Sequence, residues 1–191
     1  LRLVGSEMCI RDSLESMIDQ ITLYDELMQM AIIELIRKDA KGECPRRPQY
    51  IAAVSELLAS PSHAVKYEAA ITLAGLTQNV AAVKAVAAAL IELTVKESDN
   101  NVKLIVLDRL NALRQRHEHA LDPLVIDLLR VLSSPDMDVR RKVLSMALEM
   151  LSVRTVEEVI LVLKKELAKT AGAAQEAGAE YRQLLIQTLH S

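Results

Sequence analysis

The chain has 191 residues, of which 51% are hydrophobic and only 2% aromatic, and its formal net charge is −3. The weak acidic balance and the scarcity of aromatic residues argue against a nucleic-acid-binding protein, which needs a basic surface and, for single strands, aromatic stacking platforms. Two cysteines do not indicate a disulfide framework, and charged residues interrupt every long apolar run, so no membrane span is predicted. Only five glycines and five prolines are present, which favours an all-α, cytosolic protein.

Residues 1–13, LRLVGSEMCIRDS, differ in character from the rest of the chain. Most of this run is what one reading frame of a common sequencing adapter would encode. It does not resemble a signal peptide, because its apolar stretch is short and contains Glu7. We expect this segment to be non-native and exclude it from the fold prediction. Cys9 lies within it, which leaves Cys44 as the one cysteine relevant to function.

The remaining sequence repeats with a period of 37 residues. An apolar residue followed by a basic residue recurs at that step, in Val65-Lys66, Val102-Lys103 and Val139-Arg140. Apolar positions around these pairs keep the same spacing. A fixed period of this length predicts a stacked array in which no unit buries a core by itself. We therefore predict an α-solenoid of two-helix units, each with an A helix and a B helix.

Apolar residues at helical spacing predict the elements in chain order. The predicted A helices span residues 49–59, 80–96, 122–133 and 155–170, and the first B helix spans residues 24–38. Residues 171–180, rich in small side chains, are predicted to form an inserted loop before the last B helix. The predicted inward positions are Met28, Ile32, Ile33, Ile36, Val65, Ala69, Ala70, Leu73, Val102, Val106, Leu107, Leu110, Val139, Val143, Leu144, Ala147, Val156, Val159, Ile160, Leu163, Leu167, Tyr181, Leu185, Ile186 and Leu189.

Polar residues that favour helix starts precede three of the B helices, in the segments 60–62, 98–100 and 133–136. Asp99 and Asp136 each precede a basic residue by four positions, a spacing that permits ion pairs within a unit or between adjacent units. The basic residues themselves would form a line along one ridge, which could meet an acidic partner or anionic lipid headgroups. The spacing favours a structural ladder instead. The line comprises Lys66, Lys103, Arg140 and Arg182.

The predicted array begins and ends on a B helix and shows no polar capping unit at either end. Solenoids need such caps to shield their terminal cores. We therefore expect residues 14–191 to be an interior slice of a longer solenoid, with apolar end faces.

No catalytic, cofactor-binding or metal-binding residues are predicted. His117 and His119 lie two positions apart, which on a helix points their side chains in different directions, and no third ligand is nearby. Cys44 has two neighbouring arginines but no histidine partner, so it is interpreted as a loop cysteine. Some helical-repeat hydroxylases hold two irons with His-Glu pairs early in successive B helices. The matching positions here lack histidine, in Tyr67-Glu68, Leu104-Ile105 and Arg141-Lys142.

A family resemblance rests on five stretches: SPSHAVKYEAAITLAGL, KESDNNVKLIVLDRL, LLRVLSSPDMDVRRKVL, VEEVILVLKKELAKT and YRQLLIQTLHS. Helix pairs whose B helix opens with Val-Lys or Val-Arg resemble HEAT repeats of the adaptin-trunk kind. From about Ser13 to Ser191 the chain resembles the large trunk subunits of coatomer, the COPI coat. The segments 38–49 and 170–180 depart most from that family, and both are predicted to be connections.

The resemblance implies a non-catalytic scaffold of the COPI coat, which buds vesicles for Golgi-to-endoplasmic-reticulum and intra-Golgi transport. It implies contacts with the δ-, γ- and ζ-COP subunits and with a GTP-bound Arf-family GTPase. It also implies a cytoplasmic protein held peripherally on Golgi membranes and COPI-coated vesicles. No residue of this chain is assigned to any of those contacts. The alternatives are the large-subunit trunk of another adaptor complex, a different cytosolic HEAT scaffold and, in another class, a helical-repeat metalloenzyme.

Overall fold

The computed structural model describes residues 14–42, 44–117, 119–170 and 176–190. The predicted non-native segment, residues 1–13, lies outside the described residues. Helices and 3₁₀ turns make up the regular structure of the described chain, which contains no strand, so the all-α prediction is confirmed. None of the helices that the structure describes combines the length and hydrophobicity needed to cross a bilayer.

The chain divides into two compact units, with the division between Ala89 and Leu90. Unit 1 begins with a helical turn at residues 14–18 and a 3₁₀ turn at Ile21–Leu23. Its helices are α1 (Glu26–Asp39), α2 (Arg47–Glu56, extended by a 3₁₀ turn at Leu57–Ala59), α3 (His63–Leu76) and the first part of α4 (Val80–Lys96). Helix α3 packs against both α1 and α2, so the B helices α1 and α3 are neighbours.

Unit 2 contains the end of α4 and the later repeats. Its helices are α5 (Asn100–Arg116), α6 (Val125–Leu129), α7 (Met137–Glu149), α8 (Val156–Thr170) and α9 (Glu176–His190). The B helix α7 packs against the B helices α5 and α9. The third predicted A helix has the expected extent, but α6 supplies only its centre. Its ends are 3₁₀ turns, at Asp122–Leu124 and Arg130–Ser133.

The starts of four B helices show the repeat most directly. A side-chain oxygen of the residue before each helix accepts a backbone N–H from the first turn, and these residues recur every 37 positions. This capping satisfies donors that otherwise have no partner within the helix. The four are Asp25 with Met28 (2.9 Å), Ser62 with Val65 (3.3 Å), Asp99 with Val102 (3.3 Å) and Asp136 with Val139 (2.9 Å).

Most of the predicted inward positions are buried. They form a core of aliphatic side chains that fits close helix packing without large aromatic residues. The confirmed positions are Ile32, Ile33, Ile36, Val65, Ala69, Ala70, Leu73, Val106, Leu107, Leu110, Val139, Val143, Leu144, Ala147, Val159, Leu163, Tyr181 and Leu185. Val156, Leu167 and Leu189 are half-buried.

Four predicted core residues are instead exposed, each by about two fifths: Met28, Val102, Ile160 and Ile186. Met28 and Ile186 belong to the first and last B helices of the described chain, so neither has a B helix on its outer side. Ile160 lies at the rim of a narrow inward stripe that Val159 and Leu163 fill. Val102 also lies at a rim, while the neighbouring Lys103 is buried.

The predicted loop at residues 171–180 is wrong in its second half, because α9 already begins at Glu176. Alanine and glutamate at the start of this helix are strong helix formers, so small side chains here do not mark a connection. Residues 171–175 lie outside the described residues.

Candidate interaction surface

The predicted basic line does not form an exposed ridge. Lys66 and Lys103 are buried, with 7% and 8% of their surface exposed. In unit 2, the Lys103 Nζ donates to the Ser134 Oγ at 3.3 Å, in the turn before the next B helix. Because buried cations hydrogen-bonded inside the protein are not available to a lipid or an acidic partner, this part of the line is structural.

Arg140 also acts inside unit 2. Its guanidinium carbon lies 3.8 Å from the centre of the Tyr181 ring, which places a cation over an aromatic face and joins α7 to α9. The Arg140 Nε donates to the Leu132 carbonyl at 3.4 Å. Burial, and then the nearby Glu166 carboxylate, raise the pKa of Tyr181 to about 12, although Arg140 acts in the opposite direction. Arg182 alone of the predicted line is exposed.

The spacing that permits ion pairs from Asp99 to Lys103 and from Asp136 to Arg140 serves other contacts in the described residues. Both carboxylates cap helices, as described above, and so point toward backbone N–H groups. Asp136 does link adjacent repeats, but through a different residue: the Asn100 Nδ2 donates to its Oδ2 at 3.2 Å.

A different set of ionic contacts connects neighbouring B helices. In unit 1, Arg37 pairs with Glu68 and also donates to the Thr72 Oγ1 at 2.8 Å. In unit 2, the Lys142 Nζ lies 2.5 Å from the Asp108 Oδ1. Two further pairs lie in unit 2: Arg114 with Glu149 also joins α5 to α7, and Arg141 with Glu180 joins α7 to α9.

Sequence reasoning missed these contacts because it looked for partners at a constant step. Their separations of 31, 34, 35 and 39 residues scatter around the repeat length. These contacts could have been found by looking for oppositely charged residues on the outer sides of two B helices, about one repeat apart in the sequence.

The two candidate histidines do not converge on a common point. His117 ends α5, where its N–H is donated to the Arg114 carbonyl at 3.0 Å. His119 has a positive φ of 61° and places its Nδ1 3.1 Å from the Asp122 Oδ2, with a side chain that is 88% exposed. In the part of the chain that the structure describes, no three His, Cys, Asp or Glu side chains are arranged to hold a metal ion.

Three of the positions that correspond to iron ligands in helical-repeat hydroxylases form ion pairs between repeats. Glu68 pairs with Arg37. Arg141 and Lys142 pair with acidic residues of the neighbouring B helices. These side chains stabilise the stack, which is a structural role that needs no metal.

Cys44 lies half-buried at the end of the connection between α1 and α2. Its Sγ donates to the Asp39 Oδ2 at 3.6 Å, and the Tyr50 hydroxyl donates to the same oxygen at 2.6 Å. Burial and then this hydrogen bond raise the pKa of Tyr50 to about 12. Arg47 donates to the carbonyls of Ala40 and Gly42, so its guanidinium links the start of α2 to the connection that precedes it.

Taken together, the helix pairs, the periodic caps and the contacts between B helices define a helical-repeat protein whose distinctive polar residues hold repeats together. Residues 5–191 match the adaptin N-terminal region family, and the chain belongs to that family.

Comparison with individual curated proteins gives a more specific result than the family match. The chain is 49% identical over 183 residues to coatomer subunit beta of Pongo abelii, 48% over 180 residues to that of Drosophila melanogaster, and 47% over 176 residues to coatomer subunit beta-2 of Oryza sativa subsp. japonica. These matches cover 94%, 93% and 91% of this chain. They cover 19%, 19% and 18% of the relatives, so the chain spans about a fifth of their length.

Proposed function

We propose that this chain is a scaffold segment of the COPI coat, acting through protein–protein contacts and without catalysis. The observation that carries the proposal is the identity of 49% to coatomer subunit beta, sustained over 94% of the chain. The structure supports it, because the charged residues that a catalytic reading would use are engaged in caps and in ion pairs between B helices. The role that follows is vesicle-mediated transport from the Golgi to the endoplasmic reticulum and within the Golgi.

The same proposal extends to partners. A coat scaffold of this kind contacts the δ-, γ- and ζ-COP subunits and a GTP-bound Arf-family GTPase, and it is held peripherally on the cytoplasmic side of Golgi membranes and COPI-coated vesicles. The net charge of −3 fits contact with other proteins better than direct binding to anionic lipid.

We also propose that residues 14–191 are an interior slice of a longer solenoid. Met28 and Ile186 support this, because both are large apolar residues exposed on the first and last B helices of the described chain. An additional helix pair on either side would cover them.

Affinity capture tests the proposed function. The bait is the complete source protein that contains this segment, mixed with eukaryotic cytosol, with Arf locked in its GTP or GDP form. We expect δ-, γ- and ζ-COP in both captures and more Arf in the GTP form. Recovery of clathrin-adaptor subunits, or of no coat subunit by a demonstrably folded bait, would contradict the proposal.

A further inference from the structure

One buried hydroxyl group in unit 2 lacks a hydrogen-bond partner. Tyr181 of α9 is 3% exposed. Its hydroxyl oxygen is the one buried side-chain nitrogen or oxygen without a partner in the part of the chain that the structure describes. A buried hydroxyl in this condition costs free energy, because it has lost its hydrogen bonds to water and gained none in return. Any movement that brings an acceptor to this hydroxyl is therefore favoured.

The Glu166 carboxylate of α8 is the acceptor near Tyr181. Helix α8 packs along α9, and burial and then this carboxylate raise the pKa of the tyrosine, yet the hydroxyl does not donate to it. The Glu166 side chain is only 17% exposed, so a short movement toward α9 requires little further loss of hydration. A hydrogen bond from a phenol to a carboxylate is charge-assisted and stronger than one between neutral groups.

A lysine on the same helix holds Glu166 in another direction. The Lys169 Nζ donates to the Glu166 Oε1, so the carboxylate is paired along α8 and not across to α9. The Lys169 side chain is 67% exposed, and solvent and salt therefore screen this ion pair. Glu166 thus has a weak partner at the surface of α8 and an unsatisfied donor beside it on α9.

We propose that Glu166 is a two-position switch, which pairs with Lys169 in one position and accepts the Tyr181 hydroxyl in the other. Removal of the positive charge at position 169 moves the carboxylate to the second position. There it adds a hydrogen bond between α8 and α9 and holds the last described B helix more firmly against unit 2. The Arg140 guanidinium, 3.8 Å from the centre of the Tyr181 ring, keeps the ring in place in both positions. This inference concerns unit 2 by itself and does not depend on the proposed coat function.

Hydrogen–deuterium exchange of α9 tests the switch. Lys169→Ala removes the competing cation in the complete source protein, and mass spectrometry follows the amides of Glu176–His190. We expect these amides to exchange about fivefold more slowly, the effect of one typical net hydrogen bond on local opening. Lys165→Ala is the matched control, because it removes the same charge from an exposed position of the same helix. It should leave exchange in α9 unchanged.

A second pair of variants identifies the two groups that meet. Tyr181→Phe keeps the ring but has no hydroxyl, so adding Lys169→Ala to it should no longer slow exchange in α9. Adding Lys169→Ala to Glu166→Gln should slow exchange less than in the unsubstituted protein, because a neutral amide is a weaker acceptor than a carboxylate. Unchanged or faster exchange in Lys169→Ala, equal slowing by Lys165→Ala, or equal slowing in the Tyr181→Phe background would overturn the inference.

Discussion

Helices α5 and α7 follow the same sequence pattern 37 residues apart but present different surfaces. In α7, Val139 is fully buried and Lys142 forms an ion pair with Asp108 of α5. Both side chains in the opening turns of α7 therefore take part in packing or in contacts between helices. In α5, the equivalent Val102 and Ile105 are exposed, although Leu107 and Leu110 behind them are buried. The repeat therefore fixes the inner side of each B helix and leaves the outer side free to differ.

This difference separates two requirements on a repeat. The inner positions must be apolar in every copy, because each unit completes its neighbour's core. The outer positions need only be compatible with the adjacent B helix, by an ion pair or by solvent exposure. Variation between copies at the outer positions is thus where binding specificity can arise without loss of the fold.

The largest effect that tests the comparison is truncation of the inner side. Leu107→Ala and Leu144→Ala should each lower the free energy of unfolding by about 2–5 kcal/mol, because both side chains are buried and a cavity would remain. Ile105→Ala, the matched control on the outer side of α5, should change it by less than about 0.5 kcal/mol. Urea unfolding followed by circular dichroism measures all three.

The comparison fails if Ile105→Ala costs as much as Leu107→Ala. Such a result would mean that Ile105 is buried in the folded chain and belongs to the core. Equal stability of Leu107→Ala and the unsubstituted protein would contradict the predicted inward face of α5 itself.

A second test concerns the contact that joins α7 to α9. The folded protein raises the pKa of Tyr181 from 10.0 to about 12, because burial favours the neutral phenol. A raised pKa contributes stability that is fully present below pH 10 and is lost as the pH rises toward 12. We expect a loss on the order of 1–2 kcal/mol over that interval, from the size of the shift.

The measurement is the unfolding midpoint between pH 9 and pH 12, compared with Tyr181→Phe, which keeps the ring under Arg140 but cannot ionise. Lysines also titrate in this interval, and the variant controls for them. Tyr50→Phe is a necessary second control, since the pKa of Tyr50 is also raised to about 12. Parallel pH profiles for Tyr181→Phe and the unsubstituted protein would contradict the assignment.

The third test compares two helix caps. Asp99→Ala should cost about 1 kcal/mol, the usual effect of removing a capping carboxylate. Asp136→Ala should cost more, because Asp136 also accepts a hydrogen bond from Asn100. Asn100→Ala is the control that removes the second contact alone. Equal stability of Asn100→Ala and the unsubstituted protein would show that the link between α5 and α7 through Asn100 contributes nothing.

Much of this fold could be predicted from the sequence because the repeat determines local features. The caps at Asp99 and Asp136 and the burial of Leu107 and Leu144 follow from the period and from helix geometry alone. The exposure of Val102 could not be predicted in this way, because the period assigns every copy the same environment. The ion-pair partners of Lys142 and Arg141 could not be predicted from the period either, because long side chains reach neighbours at irregular separations in the sequence.

The candidate surface was harder to predict than the fold for a related reason. The recurring pair of an apolar and a basic residue suggested Lys103 and Arg140 as members of a basic line. In the structure Lys103 is buried, and Arg140 lies over the ring of Tyr181. The informative departure was Ile105, which looked unremarkable because an apolar residue in a helix is ordinarily read as core. Ile105 is recognised as unusual only when it is compared with the charged residues at the same position of other repeats.

The smallest predicted effect concerns the ion pair between Asp108 of α5 and Lys142 of α7. The Asp108 side chain is 64% exposed and that of Lys142 is 35% exposed, so solvent and salt screen their attraction. A double-mutant cycle with Asp108→Asn and Lys142→Gln should give a coupling of about 0.5 kcal/mol or less at low salt and close to zero at about 1 M salt. A coupling of that size cannot account for the fold, so the apolar contacts between α5 and α7 must hold these helices together. A coupling well above 1 kcal/mol that persists at high salt would show that the outer side of α7 also stabilises the stack, and would remove the distinction between inner and outer positions.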